Sequence, residues 1–356
     1  MKALSVRSYR EEAKKALPKD VFDYVDGAAG DEVTRRQNEL SFDAISLRPL
    51  CLRDVSSTST RVEILNKELA APIMIGPTAF HQLADPAGEV ATARAAAACG
   101  LPMVVSSMSN SPLETIAEQS EHDNLWMQCY IFRDRSITRD LVGRAERAGY
   151  KALVLTVGIP VHGKRPRDVE NGFQFPPHLT LGNFVVAAHG KTLRDFSSSL
   201  MDPSVTWEDV EWLCQQTRLP VFIKGVLNPL DAERAAATKL SGIVVSNHGG
   251  RQLDTSEATI SVLPSIASRV PSEMPVLMDG GVTRGTDVLK ALALGADAVL
   301  LGKPIFWALT VGGEDGVAAL LCTLMGELEL AMQLSGCRTV AEVRQFGPDL
   351  CSTPSR

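Results

Sequence analysis

Residues 275–303 read PVLMDGGVTRGTDVLKALALGADAVLLGK, and the fold follows from how this stretch changes period. An unbroken apolar run, Val276-Leu277-Met278, stops at Asp279-Gly280-Gly281, the pattern of a strand buried on both faces that ends in a turn. Arg284 to Gly295 then carries helical spacing, with a glycine to end it. A second apolar run, Ala298 to Leu301, closes on Gly302-Lys303. Strand, helix and strand in that order form a βαβ unit, whose two strands lie parallel in one sheet.

Working outward, the same alternation starts at residue 73. The expected strands are Ile73–Ala79, Met103–Ser107, Leu125–Ile131, Ala152–Gly158, Val221–Val226, Gly242–Asn247, Pro275–Gly281 and Ala298–Lys303. Between them lie helix-like segments such as GEVATARAAAACG and NPLDAERAAATKL. Eight units in about 260 residues match a (β/α)₈ TIM barrel, an α/β fold. A doubly wound open sheet is the rival, but it gives no reason for eight regular units. Residues 1–72 are expected to form an amino-terminal cap of two short helical stretches and a β-hairpin near Ile45–Leu52 and Arg61–Leu65. The barrel is assigned to 73–340, with 159–206 as a long lid loop after the fourth strand and 341–356 as a tail.

Composition narrows the function classes. The chain has 356 residues, 45% hydrophobic and 22% charged, with mean hydropathy +0.02, which is ordinary globular usage. A net charge of −6 offers no electrostatic reason for a nucleic-acid partner. The apolar runs read as too short for a membrane span. Seven scattered cysteines without CxxC spacing fit neither a disulfide framework nor a zinc site, and the six histidines form no HExxH pair, so no metal is expected. A cytoplasmic location is expected: the start lacks a signal-peptide core, and the end does not match Ser-Lys-Leu, although a peroxisomal home stays open.

In a parallel barrel the strand ends share one mouth, where ligands bind. There the sequence places Pro77-Thr78-Ala79, Ser106-Ser107, Gln128 and Tyr130, Thr156, Lys224, Ser246 with His248 and Arg251, Asp279-Gly280-Gly281, and Gly302-Lys303. Each has a plain structural alternative: Ser106 and Thr156 can satisfy backbone, Asp279 can cap a helix, and Arg251 can pair with Asp254. Lys224 is harder to dismiss, because an ammonium after Val221-Phe222-Ile223 needs an anionic or electron-rich partner. A base and a guanidinium three residues apart after a core strand suit an acid substrate. Ringed polar groups and terminal glycines suit a flat heterocycle carrying a phosphate.

With these residues in view, the chain resembles the FMN-dependent α-hydroxy-acid oxidases, the family of glycolate oxidase and long-chain hydroxy-acid oxidase. The blocks SNHGGRQLD, VFIKGV, MDGGVTRGTDVLKALALGADAV, PTAFHQLADPAGE and AMQLSGCRTVAEV carry the resemblance from about Leu17 to Val343. It implies FMN as cofactor, oxidation of an L-2-hydroxy acid to the 2-oxo acid, dioxygen as acceptor with hydrogen peroxide released, and a homotetramer or octamer. It also implies His248 as catalytic base, and Arg251, Arg165, Tyr24 and Tyr130 as substrate contacts. Pro77, Thr78, Ala79, Ser107, Gln128, Thr156, Lys224 and Ser246 are implied around the flavin. Asp279, Gly280, Gly281, Gly302 and Lys303 are implied along the ribityl chain and phosphate.

Three positions depart from the family's usual pattern. Gly158 stands where an aspartate usually supports the histidine, Thr283 where an arginine is usual, and Lys303 where an arginine usually follows glycine. Met108 occupies an often aromatic position, and His162 is expected on the lid side. The departures predict a less favoured imidazolium and a weaker grip on phosphate, with Arg284 as a possible substitute. Two alternatives follow: a dehydrogenase or monooxygenase of the same family with another electron acceptor, or a flavin-binding paralogue with decayed catalysis.

Overall fold

In the computed structural model the described residues are 5–184 and 199–352. Strands β1 (Ser46–Leu47), β2 (Val62–Ile64) and β3 (Lys67–Leu69) precede the barrel. The barrel strands are β4 (Ile73–Ile75), β5 (Met103–Ser106), β6 (Leu125–Cys129), β7 (Leu153–Thr156), β8 (Val221–Val226), β9 (Gly242–Val245), β10 (Val276–Asp279) and β11 (Ala298–Leu301), with β12 (Cys351–Ser352) near the chain's end. β4 to β11 close into one parallel barrel, in which β11 returns to β4 through the pair Leu300–Met74. The expected (β/α)₈ barrel is therefore the fold, with strands shorter than the apolar runs because the polar ends leave the ladder.

Alternation decides what fills the interior. Met74, Val104, Trp126, Val154, Phe222, Val244, Leu277 and Leu300 form an inner cluster, joined by Ile64 and Leu69 from the β2–β3 hairpin at the barrel floor. Burying side chains of this size contributes about 1.5 to 3 kcal/mol each. Trp126 and Phe222 meet at 5.0 Å. The Phe222 ring needs a glycine beside it, since a Cβ at Gly242 would lie 2.1 Å from Cε1.

The amino-terminal region differs from expectation in two ways. It has three helices, Val6–Ala16, Lys19–Asp26 and Val33–Asp43, rather than two. Its hairpin joins β2 to β3, while β1 pairs antiparallel with β12, so the segments near 45–52 and 61–65 do not pair with each other. β1 and β12 are two residues each and far apart in sequence, too short for a periodicity to betray them. Cys351 and Ser352 are thereby stitched to the cap, with helix Val340–Phe346 leading toward them.

Among the described residues one helix, Lys303–Leu334, is long and apolar enough to cross a membrane by length and composition. It breaks at Gly312 and Gly313, and its buried face, including Val317, Leu321 and Leu328, packs within the main core. Within 159–184 the chain forms a short helix, Pro166–Glu170, and Phe184 meets Phe132 edge-on at 5.7 Å. Residues 185–198 of the segment expected as a lid loop, including Val185 and Val186, lie outside the described residues.

Candidate active site

The carboxyl ends of the strands open into a cavity of about 770 Å³, within the range of small-molecule sites. β8 ends in a bulge at Gly225, whose φ is 122°. A Cβ there would lie 2.5 Å from the Gly158 nitrogen, so the bulge requires glycine. The bulge follows Lys224, which is 4% exposed. Its Nζ donates to Ser246 Oγ at 2.7 Å and pairs with Asp279 Oδ2 at 2.6 Å. Asp279 Oδ1 is buried without a hydrogen-bond partner. A buried carboxylate oxygen left bare costs free energy, so this atom is suited to a donor from a bound molecule.

Gln128 is fixed at both ends. Its Oε1 accepts from the Ser107 nitrogen at 3.1 Å, and its Nε2 donates to Thr156 Oγ1 at 3.0 Å. Ser107 is fully buried, so it braces Gln128 while Ser106 lines the cavity. Ser246 likewise sits behind Lys224 and does not line the cavity. The other residues implied as substrate or flavin contacts all line it: Tyr24, Pro77, Thr78, Ala79, Gln128, Tyr130, Thr156, Arg165, Lys224, His248, Arg251, Asp279, Gly280, Gly281, Gly302 and Lys303.

β9 feeds a tight turn in which His248 has φ 54°, a left-handed conformation that costs a non-glycine residue free energy. The turn is held by the Gly250 nitrogen donating to Asn247 Oδ1 at 3.2 Å. Asn38 braces it too, exchanging amide bonds of 2.9 and 2.7 Å with Asn247. Burial pushes the His248 imidazole well below its usual proton affinity, and Lys224, Arg251, Arg165 and His162 push the same way. The imidazole is thus held as a neutral base.

Arg251 follows at once. Its NH1 donates to the Tyr24 and Gly27 carbonyls, both at 2.8 Å. Burial, then the neighbouring Arg165 charge, lowers the Arg251 guanidinium to about 10. Arg165 Nε donates to Asp168 Oδ2 at 2.7 Å. Both guanidinium carbons lie over the Tyr24 ring, at 5.4 Å for Arg165 and 5.3 Å for Arg251. Tyr24 stacks on Phe173 at 4.4 Å, and burial raises the Tyr130 phenol well above its usual value, keeping it a neutral donor. Two cations with donors to spare, two phenols and a neutral imidazole form a seat for a small carboxylate beside a base.

The opposite end is less open than the sequence suggested. Lys303 Nζ lines the cavity but donates to the Asp26 carbonyl at 2.7 Å and the Gly27 carbonyl at 3.2 Å. Arg284 is not among the lining residues; it pairs with Glu327 at 2.8 Å on the surface, so it does not replace Thr283. Gly281 is needed for packing, since a Cβ there would sit 2.1 Å from the Asn38 carbonyl. The sequence reading missed Arg35, Asn38, Phe173 and Phe175, all of which line the cavity. Arg35 and Asn38 come from the cap, where helical spacing was visible but no motif tied it to the barrel mouth.

Comparison with known proteins accords with this geometry. Residues 13–347 match the family described as FMN-dependent dehydrogenase. The chain belongs to this family. The peroxisomal (S)-2-hydroxy-acid oxidase of Oryza sativa subsp. japonica is 44% identical over 345 residues, covering 96% of this chain and 94% of the relative. The corresponding Arabidopsis thaliana enzyme is 46% identical over 344 residues, with the same coverage. A solved mandelate oxidase with (S)-4-hydroxymandelic acid superposes with TM-score 0.92 at 41% identity, over 96% of this chain and 97% of that one. As a member of the FMN-dependent dehydrogenase family, the protein uses FMN to oxidise a 2-hydroxy acid.

Proposed function

We propose that His248 is the catalytic base of an (S)-2-hydroxy-acid oxidase and that Arg165 and Arg251 hold the substrate carboxylate against Tyr24. The observation that carries this reading is that a half-buried imidazole, held neutral, lines the same cavity as two guanidinium groups packed on Tyr24. Fixing the carboxylate from two sides orients the α-carbon, and Tyr24 and Tyr130 donate to the substrate's oxygens. His248 takes a proton from the substrate. The bound carboxylate then lowers the surrounding positive field, so the imidazolium is easier to form than in the empty pocket.

The residues fit FMN. The Asp279 Oδ1 acceptor suits a ribityl hydroxyl, Lys224 suits the electron-rich edge of the ring, and Gln128 and Thr156 suit its polar rim. Pro77, Thr78, Ala79, Gly280, Gly281 and Gly302 form the rest of that surface, with Ser107 and Ser246 bracing it from behind. Bound FMN supplies the two-electron acceptor and the route to dioxygen, with hydrogen peroxide as product. Lys303 acts here chiefly as a strut to the cap, and Arg35, which also lines the cavity, meets the phosphate end with its guanidinium already shared with Asp26. In this reading residues 1–72 are the cap, 73–340 the FMN barrel, 159–206 the lid and 341–356 the tail.

The test is direct. The purified protein is expected to show a flavin spectrum that bleaches anaerobically with a 2-hydroxy acid, and to release peroxide under air. Glycolate, lactate, 2-hydroxyoctanoate and mandelate separate short, long and aryl side chains. Bleaching without peroxide would favour another acceptor; no bleaching with any acid would favour a decayed paralogue. A homotetramer or octamer, checked by sedimentation, belongs to the proposal. So does cytoplasmic residence, supported by seven free cysteines. Relatives named as peroxisomal make that organelle the alternative, and cell fractionation decides.

A further inference from the structure

Away from the site, two cysteines far apart in sequence come together. Cys99 caps the carboxyl end of helix Gly88–Ala98, and Cys322 lies on the long helix Lys303–Leu334 that packs along it. Their sulfurs are 3.9 Å apart, and Cys99 Sγ also reaches the Ala318 carbonyl, one turn before Cys322, at 3.8 Å. Cys322 is exposed and Cys99 half-buried. No other sulfur–sulfur contact occurs among the described residues, and Cys51, equally exposed, has no such neighbour.

We propose that Cys99 and Cys322 form a peroxide-responsive dithiol that closes into a disulfide clamp between the first and last helices of the barrel. The proposal rests on the oxidase reading only for its source of oxidant, the hydrogen peroxide that turnover releases. A disulfide needs its sulfurs about 2.05 Å apart, a closure within reach of side-chain rotation on two packed helices. Exposure makes Cys322 the first sulfur to meet peroxide. Burial, followed by the Cys322 sulfur, pushes the Cys99 thiol up to about 12, so Cys99 stays protonated and acts second.

The chemistry balances in two steps. The Cys322 thiolate attacks one peroxide oxygen; an S–O bond forms, the O–O bond breaks, and hydroxide leaves to become water. The Cys99 sulfur then attacks the Cys322 sulfur; the S–S bond forms, the S–O bond breaks, and the departing hydroxide takes the Cys99 proton as a second water. Two thiols are oxidised by two electrons and one peroxide is reduced to two waters. A lone exposed thiol such as Cys51 has no partner to stop it and climbs toward sulfinic acid instead.

Holoenzyme without substrate, treated with hydrogen peroxide and digested without reductant, should yield a peptide linking Cys99 to Cys322, with both thiols lost together and restored by dithiothreitol. Cys99→Ser should leave Cys322 as a sulfenic acid that dimedone traps. The proposal is overturned if Cys51 is oxidised while no linked peptide forms, or if Cys99→Ser leaves the Cys322 products unchanged. A second arm replaces added peroxide with a 2-hydroxy acid under air, with and without catalase. Linkage by added peroxide but not by turnover upholds the dithiol and counts against the oxidase reading alone.

Discussion

The two ends of the cavity are both rich in cations, yet they spend them differently. At the substrate end Arg165, Arg251, Lys224 and His248 surround one space, where Asp168 pairs with Arg165 and Asp279 with Lys224. At the cap end Asp26, fully buried, binds Arg10 at 2.7 Å, Arg35 at 3.2 Å and Arg167 at 3.1 Å. Burial alone would raise the Asp26 carboxyl, but the Arg10 hydrogen bond and the Arg35 and Lys303 charges hold it far below the usual carboxylate range. Cations at one end await an anion; at the other they are already consumed by structure. The same residue types therefore line the proposed substrate seat in one place and hold the fold together in the other.

The largest test of this contrast is His248→Gln. Losing a positioned base costs on the order of 10² to 10⁴ in rate. We expect kcat to fall by that order with flavin content and Tm unchanged, read by anaerobic bleaching kinetics. A fall in Tm of several degrees instead would place His248 among the structural residues.

Asp26→Ala probes the other end. Removing one partner of a buried ion cluster costs about 3 to 5 kcal/mol, and we expect that as lost stability, with the KM for the hydroxy acid little changed. The sign with pH is fixed: a carboxyl depressed in the folded state stabilises above its unfolded value of about 3.9 and stops doing so as pH falls through the folded one. The gap between wild type and variant in urea unfolding should therefore shrink on acidification. A gap that widens toward acid pH would contradict the assigned cluster.

These two ends also differ in how legible they were. Lys224, His248, Arg251 and Asp279 are readable because each ends an apolar run, and a parallel barrel sends every strand end to one mouth. Arg35 and Asn38 are not, because a cap helix meets the mouth only through packing that no local period encodes. Lys303 is legible in its place at the mouth but not in its partners, for the same reason. Its position after Gly302 suggests an anion, but the Asp26 and Gly27 carbonyls that claim it lie on a distant segment. Ser107 and Ser246 bond Gln128 and Lys224 and are not among the cavity-lining residues, a depth that strand position alone does not encode.

Thr283→Arg would return an unspent cation to the depleted end. Thr283 lines the cavity, and its hydroxyl bonds Asp287 Oδ2 at 3.1 Å. A charge-assisted hydrogen bond contributes about 1.5 to 3 kcal/mol, so FMN should dissociate at least several-fold more slowly, followed by flavin fluorescence on dilution. Unchanged release would mean that Arg35 already suffices.

Gly158→Asp gives the smallest and most specific change, by adding an anion to the end that lacks one. Gly158 precedes the cavity-lining Ile159, and a Cβ there would meet Gly225 Cα at 3.2 Å, so the bulge after Lys224 must yield by a few tenths of an ångström. His248 is depressed in the free protein, so its base form should persist below the ordinary imidazole value of about 6.5, and kcat/KM should stay flat through neutrality. A carboxylate beside the imidazole favours its protonated form and should move the acid limb of that profile upward by about one unit. It should also raise turnover, since the imidazolium formed on proton transfer is better supported. An unmoved acid limb with full flavin content would show that the new carboxylate does not reach His248, and that the pocket draws its missing anion from the substrate alone.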